Sequence, residues 1–185
     1  MDTYFANSKL LWTPGNIQMA ASEVLRRQIN RKRGLNLKDY HDLHKYSVED
    51  YTFWLDLWEF LGIVSSVPPS KDRILEKGKM LNEIPNWFPG ARLNYAENLL
   101  IRKDDGVALI EANESGAAVE VTFRELNERV REMAAALRVN GLQVGDRVAA
   151  IVVNATTGVV IALAVASIGG IFSSTATDMG TQVNP

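Results

Sequence analysis

The chain has 185 residues, 46% hydrophobic and 23% charged, the profile of a soluble globular protein holding one full domain or two partial ones. Its net charge of −2 gives no overall attraction to phosphate backbones or anionic bilayers, so neither nucleic acid nor a membrane is an expected partner. Without cysteine, disulfides, thiolate nucleophiles and cysteine-rich zinc sites are excluded together, and a cytoplasmic location is the expectation.

From Met1 to Leu11 polar and apolar residues alternate with no basic start and apolar stretch, so no secretory signal is expected. Asn16 is predicted to cap a helix running to Arg33. Arg31, Lys32 and Arg33 lie in its last turn, where cations suit the negative end of the dipole, and Gly34 supplies the left-handed stop. The cluster Arg26, Arg27, Arg31, Lys32 and Arg33 reads as a solvated helix end rather than an RNA patch. His41 and His44, beside Asp39 and Asp42, place two imidazoles on one helical face, but no third ligand group accompanies them and no metal site is assigned. Ser47-Val-Glu-Asp50 has the form of an N-terminal cap. Behind it Tyr51, Trp54, Leu55, Trp58 and Leu61 recur at three- and four-residue intervals up to Gly62, an aromatic stripe read as core packing rather than a cofactor pocket.

Residues 64–86 carry the breakers Pro68, Pro69, Gly78 and Pro85 and read as a long surface connection. Trp87-Phe-Pro-Gly90 is a turn with aromatic anchors, and Asn94 caps a short helix reaching about Leu100. Near Asp105 the character changes. Val107–Ala112 and Ala118–Val121 are predicted as a hairpin around the polar turn Asn113-Glu-Ser-Gly116. Thr122-Phe-Arg-Glu125 is a capping box opening a helix with Leu126, Val130, Met133, Ala134 and Leu137 on one face, ended by Gly141. A strand over Arg147–Val153, an apolar helix over Gly158–Ile168 and a strand over Ile171–Ser174 then form a parallel crossover. Coverage of such a unit on both faces would explain why Val159–Ala166 lacks a polar side. Val148–Phe172 is long and apolar enough to span a bilayer, but Asn154, Thr156, Thr157, Gly158, Gly169 and Gly170 divide it into strand, helix and strand. The fold class is therefore α/β: a helical region over 1–104 followed by a parallel α/β region over 105–185.

No phosphate-binding Gly-x4-Gly-Lys-Ser/Thr loop, Gly-x-Gly-x-x-Gly fingerprint, serine elbow or His-Glu-x-x-His site occurs in the sequence, so no catalytic residue is assigned. Ligands of open parallel sheets collect at the carboxyl ends of strands. Two such places exist here. Asn154 is read as the cap of the helix that follows it. Ser173-Ser-Thr-Ala-Thr-Asp-Met-Gly180 is dense in hydroxyls after an apolar run, which suits either a phosphate or substrate tail or plain turn chemistry.

Four strings carry a resemblance: Trp87-Phe-Pro-Gly-Ala-Arg-Leu-Asn-Tyr-Ala-Glu-Asn-Leu-Leu100, Thr122-Phe-Arg-Glu-Leu126, Gly145-Asp-Arg-Val148 and Ala166-Ser-Ile-Gly-Gly-Ile-Phe-Ser-Ser-Thr-Ala-Thr-Asp-Met-Gly180. Each alone is weak, but their order and spacing from about Leu11 to Gln182 resemble the N-terminal portion of acetoacetate–CoA ligases, within the adenylate-forming acyl-CoA synthetases. The resemblance implies that 1–104 is an acetyl-CoA-synthetase-type N-terminal region and 105–185 the incomplete start of an AMP-binding domain. Acetate-activating relatives typically carry a His-Ser-Val-x-Phe-x-Gly-Phe run where this chain has Phe172–Gly180, which favours acetoacetate. In the family this loop lies near the CoA-facing side of the active site. That implies Ser173, Ser174, Thr175 and Asp178 as cofactor-contacting residues.

The implied reaction uses Mg-ATP and CoA to turn a short acid into its thioester through an acyl-adenylate. The phosphate loop, adenine pocket and catalytic lysine of the family all fall beyond the matched segment, so the chain is expected to be an N-terminal fragment, inactive alone. The competing expectations are a short non-catalytic protein docking on a full-length ligase, and a segment of a ligase for another short acid. Cut parallel strands also predict self-association through exposed apolar surface.

Overall fold

In a computed structural model of the protein, residues 9, 11–13, 15–113 and 116–179 are described. Most of the Met1–Leu11 stretch, Glu114 and Ser115 of the predicted hairpin turn, and Gly180–Gln182 of the resembling segment lie outside the described residues. The described chain divides into two compact units, one within 1–63 and 69–90, the other within 64–68 and 91–185.

The first unit holds α1 (Ala21–Arg33), α2 (Tyr40–Glu49) and α3 (Thr52–Leu61). Asn16 does not cap α1. It precedes a 3-10 turn over Ile17–Met19 and makes no side-chain capping bond, and Ala20 occupies the N-cap of α1. Gly34 ends α1 in the left-handed conformation at φ 67°, as its position predicts. The predicted cap at Ser47 is also displaced. Asp39 accepts the Asp42 N–H and starts α2 earlier, leaving Ser47 in its last turn with its hydroxyl donating to the His44 carbonyl. Asp50 accepts the Thr52 N–H at 2.9 Å at the start of α3.

Leu25, Ile29, Leu43 and Phe53 form the core of this unit, with Leu37, Tyr46, Trp54, Leu57 and Phe60 packed around it. The core stripe of α3 is thus Phe53, Trp54, Leu57 and Phe60; of the expected Tyr51-to-Leu61 set Trp54 packs against this core, whereas Tyr51 and Leu61 are exposed. Tyr51, Trp54 and Trp58 also meet the Trp87-Phe88 turn, with ring centroids 5.8 Å (Tyr51–Trp87), 5.2 Å (Trp54–Trp87) and 5.1 Å (Trp58–Phe88) apart. The helical period is as predicted. The aromatic stripe fastens the irregular 64–86 connection, whose returning end needs apolar anchors to stay against the helices. The basic end of α1 is likewise not simply solvated: Arg33 forks the buried Asp56 of α3 with two bonds of 2.9 Å, and Lys32 adds an ion pair at 2.9 Å.

The second unit begins with α4 (Tyr95–Leu99), capped as predicted by Asn94, whose Oδ1 accepts the Glu97 N–H at 3.1 Å. β1 (Val107–Ala112) and β2 (Ala118–Thr122) form the antiparallel hairpin, and α5 (Phe123–Val139) opens with the reciprocal Thr122–Glu125 capping box. β3 (Arg147–Ile151) and β4 (Ile171–Thr175) pair in parallel, joined through α6 (Thr156–Ile168). In register, Arg147 faces Ile171 and Ile151 faces Thr175. β3 ends two residues sooner than expected and α6 begins two residues earlier than Gly158. The core is Ala96, Val121, Leu126, Val130, Ala134, Val160, Leu163 and Ala164, the meeting of α4, β2, α5 and α6.

Coverage on both faces is not what these residues show. Val160, Leu163, Ala164 and Val165 of α6 are buried, yet Val159, Ile151, Val153 and Ile171 are exposed. α6, flanked by short strands, is 13 residues long, and no described helix is long and apolar enough to cross a membrane.

Candidate functional site

Parallel pairing of β3 and β4 brings their carboxyl ends side by side at the N-terminal end of α6. There the chain leaves a cleft of roughly 400 Å³, lined on one side by Val152, Asn154, Gly158 and Val159 and on the other by Ser174, Thr175 and Met179. Val152 donates its N–H to the Thr175 carbonyl at 3.2 Å, so the parallel ladder continues one step past β3 and fixes the width of the cleft.

The predicted residues divide. Ser173, Ser174 and Thr175 are not loop residues, because β4 runs through Thr175 and backbone pairing holds all three. Ser174 and Thr175, at the carboxyl end of β4, line the cleft, whereas Ser173, one step further back and paired with Ala149, does not. Asp178 follows in the turn, exposed and off the cleft wall. The Thr175 hydroxyl donates to the Met179 sulfur at 3.0 Å, a contact that folds this turn back toward the strand end.

Asn154 does not cap α6. Ala155 is the N-cap and has no side chain to do so, and the orphan N–H of Thr156 donates instead to Glu111 of β1 at 2.8 Å. The Glu111 carboxyl sits below its usual range, first because of that amide bond. Its position in β1, as the single charge in Val-Ala-Leu-Ile-Glu-Ala, is the signal that sequence reading passed over. With a depressed folded-state pKa, its contribution is present above the unfolded value near ~4.3 and lost as pH falls through the folded one. Glu111→Gln is expected to lower the melting temperature at pH 7, with the difference shrinking as pH falls through the folded-state value. Amide exchange in the first turn of α6 should speed up at neutral pH, and a loss that does not shrink toward acid pH would show that the charge is not what caps the helix.

Among the described residues the cleft wall carries hydroxyls, an amide and apolar carbons, with no Lys, Arg, Asp or Glu in its lining. Because a carboxylate already occupies the first amide of α6, an incoming phosphate would meet a like charge there. The arrangement suits an uncharged ligand segment with amide or hydroxyl groups and apolar links. His44 of α2 stacks on Tyr40, and no group of three or more His, Asp and Glu gathers as metal ligands among the described residues.

Comparison with known proteins adds the context this geometry lacks. The family model for the acetyl-coenzyme A synthetase N-terminus matches residues 40–99, and that for AMP-binding enzymes matches residues 101–182. The chain is 44% identical over 178 residues to an acetoacetyl-CoA synthetase of Danio rerio, covering 95% of this chain and 26% of that protein. It is 35% identical over 182 residues to a malonamoyl-CoA synthetase of Penicillium aethiopicum, covering 93% of this chain and 24% of the relative. The structure resembles acetoacetyl-CoA synthetase from Streptomyces lividans with a TM-score of 0.82 and 34% identity, over 94% of this chain and 27% of that one. The chain thus spans about a quarter of the length of the curated relatives it matches.

Proposed function

We propose that the polypeptide carrying this chain, which belongs to the AMP-binding enzymes in their acetoacetyl-CoA synthetase branch, joins acetoacetate to CoA at the expense of ATP. The single observation that carries this reading is the match of fold over 94% of the chain, at 34% identity, to a structure of that enzyme. The boundary between the N-terminal region and the start of the AMP-binding domain is placed at 104/105.

In the reaction, a carboxylate oxygen of the acid attacks the α-phosphorus of ATP, an acyl-phosphate bond forms, and pyrophosphate leaves. The CoA sulfur then gives up its proton and attacks the acyl carbon, and the acyl–oxygen bond breaks to release AMP. Both nucleophiles arrive with the substrates, so the protein must position them and offset charge. The described cleft does not fit the triphosphate or Mg: among the described residues neither a cation nor a free carboxylate lines it. Those tasks are assigned to sequence outside these 185 residues. What Ser174 and Thr175 can supply is hydrogen bonding to an uncharged, amide-bearing stretch such as the tail of CoA, with Ser173 and Asp178 flanking it. A cytoplasmic location without nucleic-acid or membrane partners fits this chemistry, and the exposed Ile151, Val153 and Ile171 support self-association.

The test uses the native polypeptide at its full length. Acid-dependent ATP–pyrophosphate exchange reads the first step, and AMP release with CoA reads the second. Acetoacetate should exceed acetate by roughly tenfold or more in kcat/KM. The 35% identity to a malonamoyl-CoA synthetase makes malonamate the competitor to include, and a preference for it would replace acetoacetate as the acid. Ser174→Ala with Thr175→Val should raise the KM for CoA several-fold with exchange unchanged. Equal losses in both assays would remove these two residues from the CoA side, and absence of any acid-dependent exchange would overturn the ligase reading itself.

A further inference from the structure

A second groove, of about 690 Å³, lies on the outer side of α5 and has nothing in common with the cleft at the strand ends. Its floor is apolar, made by Leu100, Val130 and Ala134. Its walls carry Lys103, Arg124, Arg131 and Arg138 against one lining carboxylate among the described residues, Glu128, in a chain whose net charge is −2. Arg124, Arg131 and Arg138 recur every seven residues, so they stand about 10 Å apart along one side of the helix and span about 20 Å. Two are already engaged: Arg124 forks Asp105 at 2.7 and 3.3 Å, and Arg131 bonds Glu128 at 2.9 Å. Lys103 and Arg138, at opposite ends, hold no ion pair among the described residues.

We infer that this groove is a docking surface for an acidic amphipathic helix of a partner protein. Two features choose that occupant. A small anion reaches one cation, or two, not a row about 20 Å long. A helix bearing carboxylates at seven-residue spacing matches the row of cations, and an apolar residue three or four positions away meets Leu100, the half-buried member of the floor, where Val130 and Ala134 are 3% and 4% exposed. This surface is independent of the ligase reading, since none of its residues lines the cleft.

The experiment uses the full-length native polypeptide and a fluorescent helical peptide of roughly 20 residues, with Glu at every seventh position, Leu three and four positions after each, and uncharged polar residues elsewhere. Titration by fluorescence anisotropy should show saturable binding that weakens with added salt, and little binding of the same peptide with Gln for Glu. Lys103→Glu and Arg138→Glu should each weaken binding about tenfold or more, with unchanged circular dichroism. Arg129→Glu, in a hollow elsewhere on α5, should leave it unchanged. Absence of binding, or equal loss with Arg129→Glu, overturns the inference. So does binding to phosphatidylserine vesicles, but not to the peptide, with the same dependence on Lys103 and Arg138.

Discussion

Replacing Arg33 by Met is expected to destabilise the unit of α1, α2 and α3 by about 2–4 kcal/mol, read by denaturant unfolding with Trp54 and Trp58 as fluorescent reporters. Asp56 is 2% exposed, and its two oxygens are held by the Arg33 fork and by Lys32. Removing the fork leaves a buried carboxylate with one flexible ammonium, which Lys32 also shares with Glu59. The figure sits below that for a fully enclosed pair because the Arg33 side chain is a third exposed and part of its charge is already screened. Adding Asp56→Leu to Arg33→Met should recover much of the loss, since the uncompensated charge, rather than the missing attraction, dominates the cost.

The pH dependence follows from the same cluster. Burial pushes the Asp56 carboxyl up, but its bonds to Arg33 and Lys32 more than offset this and hold it below the usual carboxylate range. A depressed folded-state pKa means that the stabilisation is complete above the unfolded value near ~3.9 and is lost as pH falls through the folded value beneath it. In Arg33→Met burial acts with one opponent fewer, so the acid limb of the stability curve should move to higher pH. An unmoved limb would show that Arg33 does not set the protonation of Asp56.

Local signals were legible where a single residue type does the work. Gly34 and Gly62 stop their helices in the left-handed conformation, and Asn94 and the Thr122–Glu125 box start theirs, because each of these bonds is made within four residues of sequence. Parallel pairing of β3 with β4 was likewise visible in two short apolar runs flanking an apolar helix. What escaped was capping and charge pairing between distant segments. Asp56 looks like an ordinary polar-side residue of an amphipathic helix until Arg33, 23 positions away, reaches it. Glu111 caps α6 across 45 positions, whereas local sequence offers only Asn154 beside the helix start. The candidate site suffered in the same way. Hydroxyl density drew attention to the carboxyl end of β4, but where that strand ends, which leaves Ser174 and Thr175 on the cleft and Ser173 one step behind it, needed the register of β4 against β3.

Leu163→Ala should cost about 3 kcal/mol, because Leu163 is 6% exposed in the core joining α5 to α6, and a methyl in its place leaves a cavity that neighbouring helices fill only partly. Ile151→Thr, in the strand that α6 follows, is expected within about 0.5 kcal/mol of wild type in the 185-residue chain, since Ile151 is 69% exposed and Thr keeps the β-branch. The contrast becomes informative in the full-length polypeptide. Parallel strands are normally covered on both faces, and the relatives matched here are about four times as long as this chain. In that setting the Ile151→Thr cost should rise to about 1–2 kcal/mol, the worth of a buried apolar side chain set against a hydroxyl, while the Leu163→Ala cost stays near its value in the isolated chain. Thermal or denaturant unfolding of both variants at both lengths checks this. An Ile151 that remains neutral at full length would mean that the outer face of β3 stays open to solvent in the native polypeptide, and that the apolar run from Val148 owes its composition to packing against α6 alone.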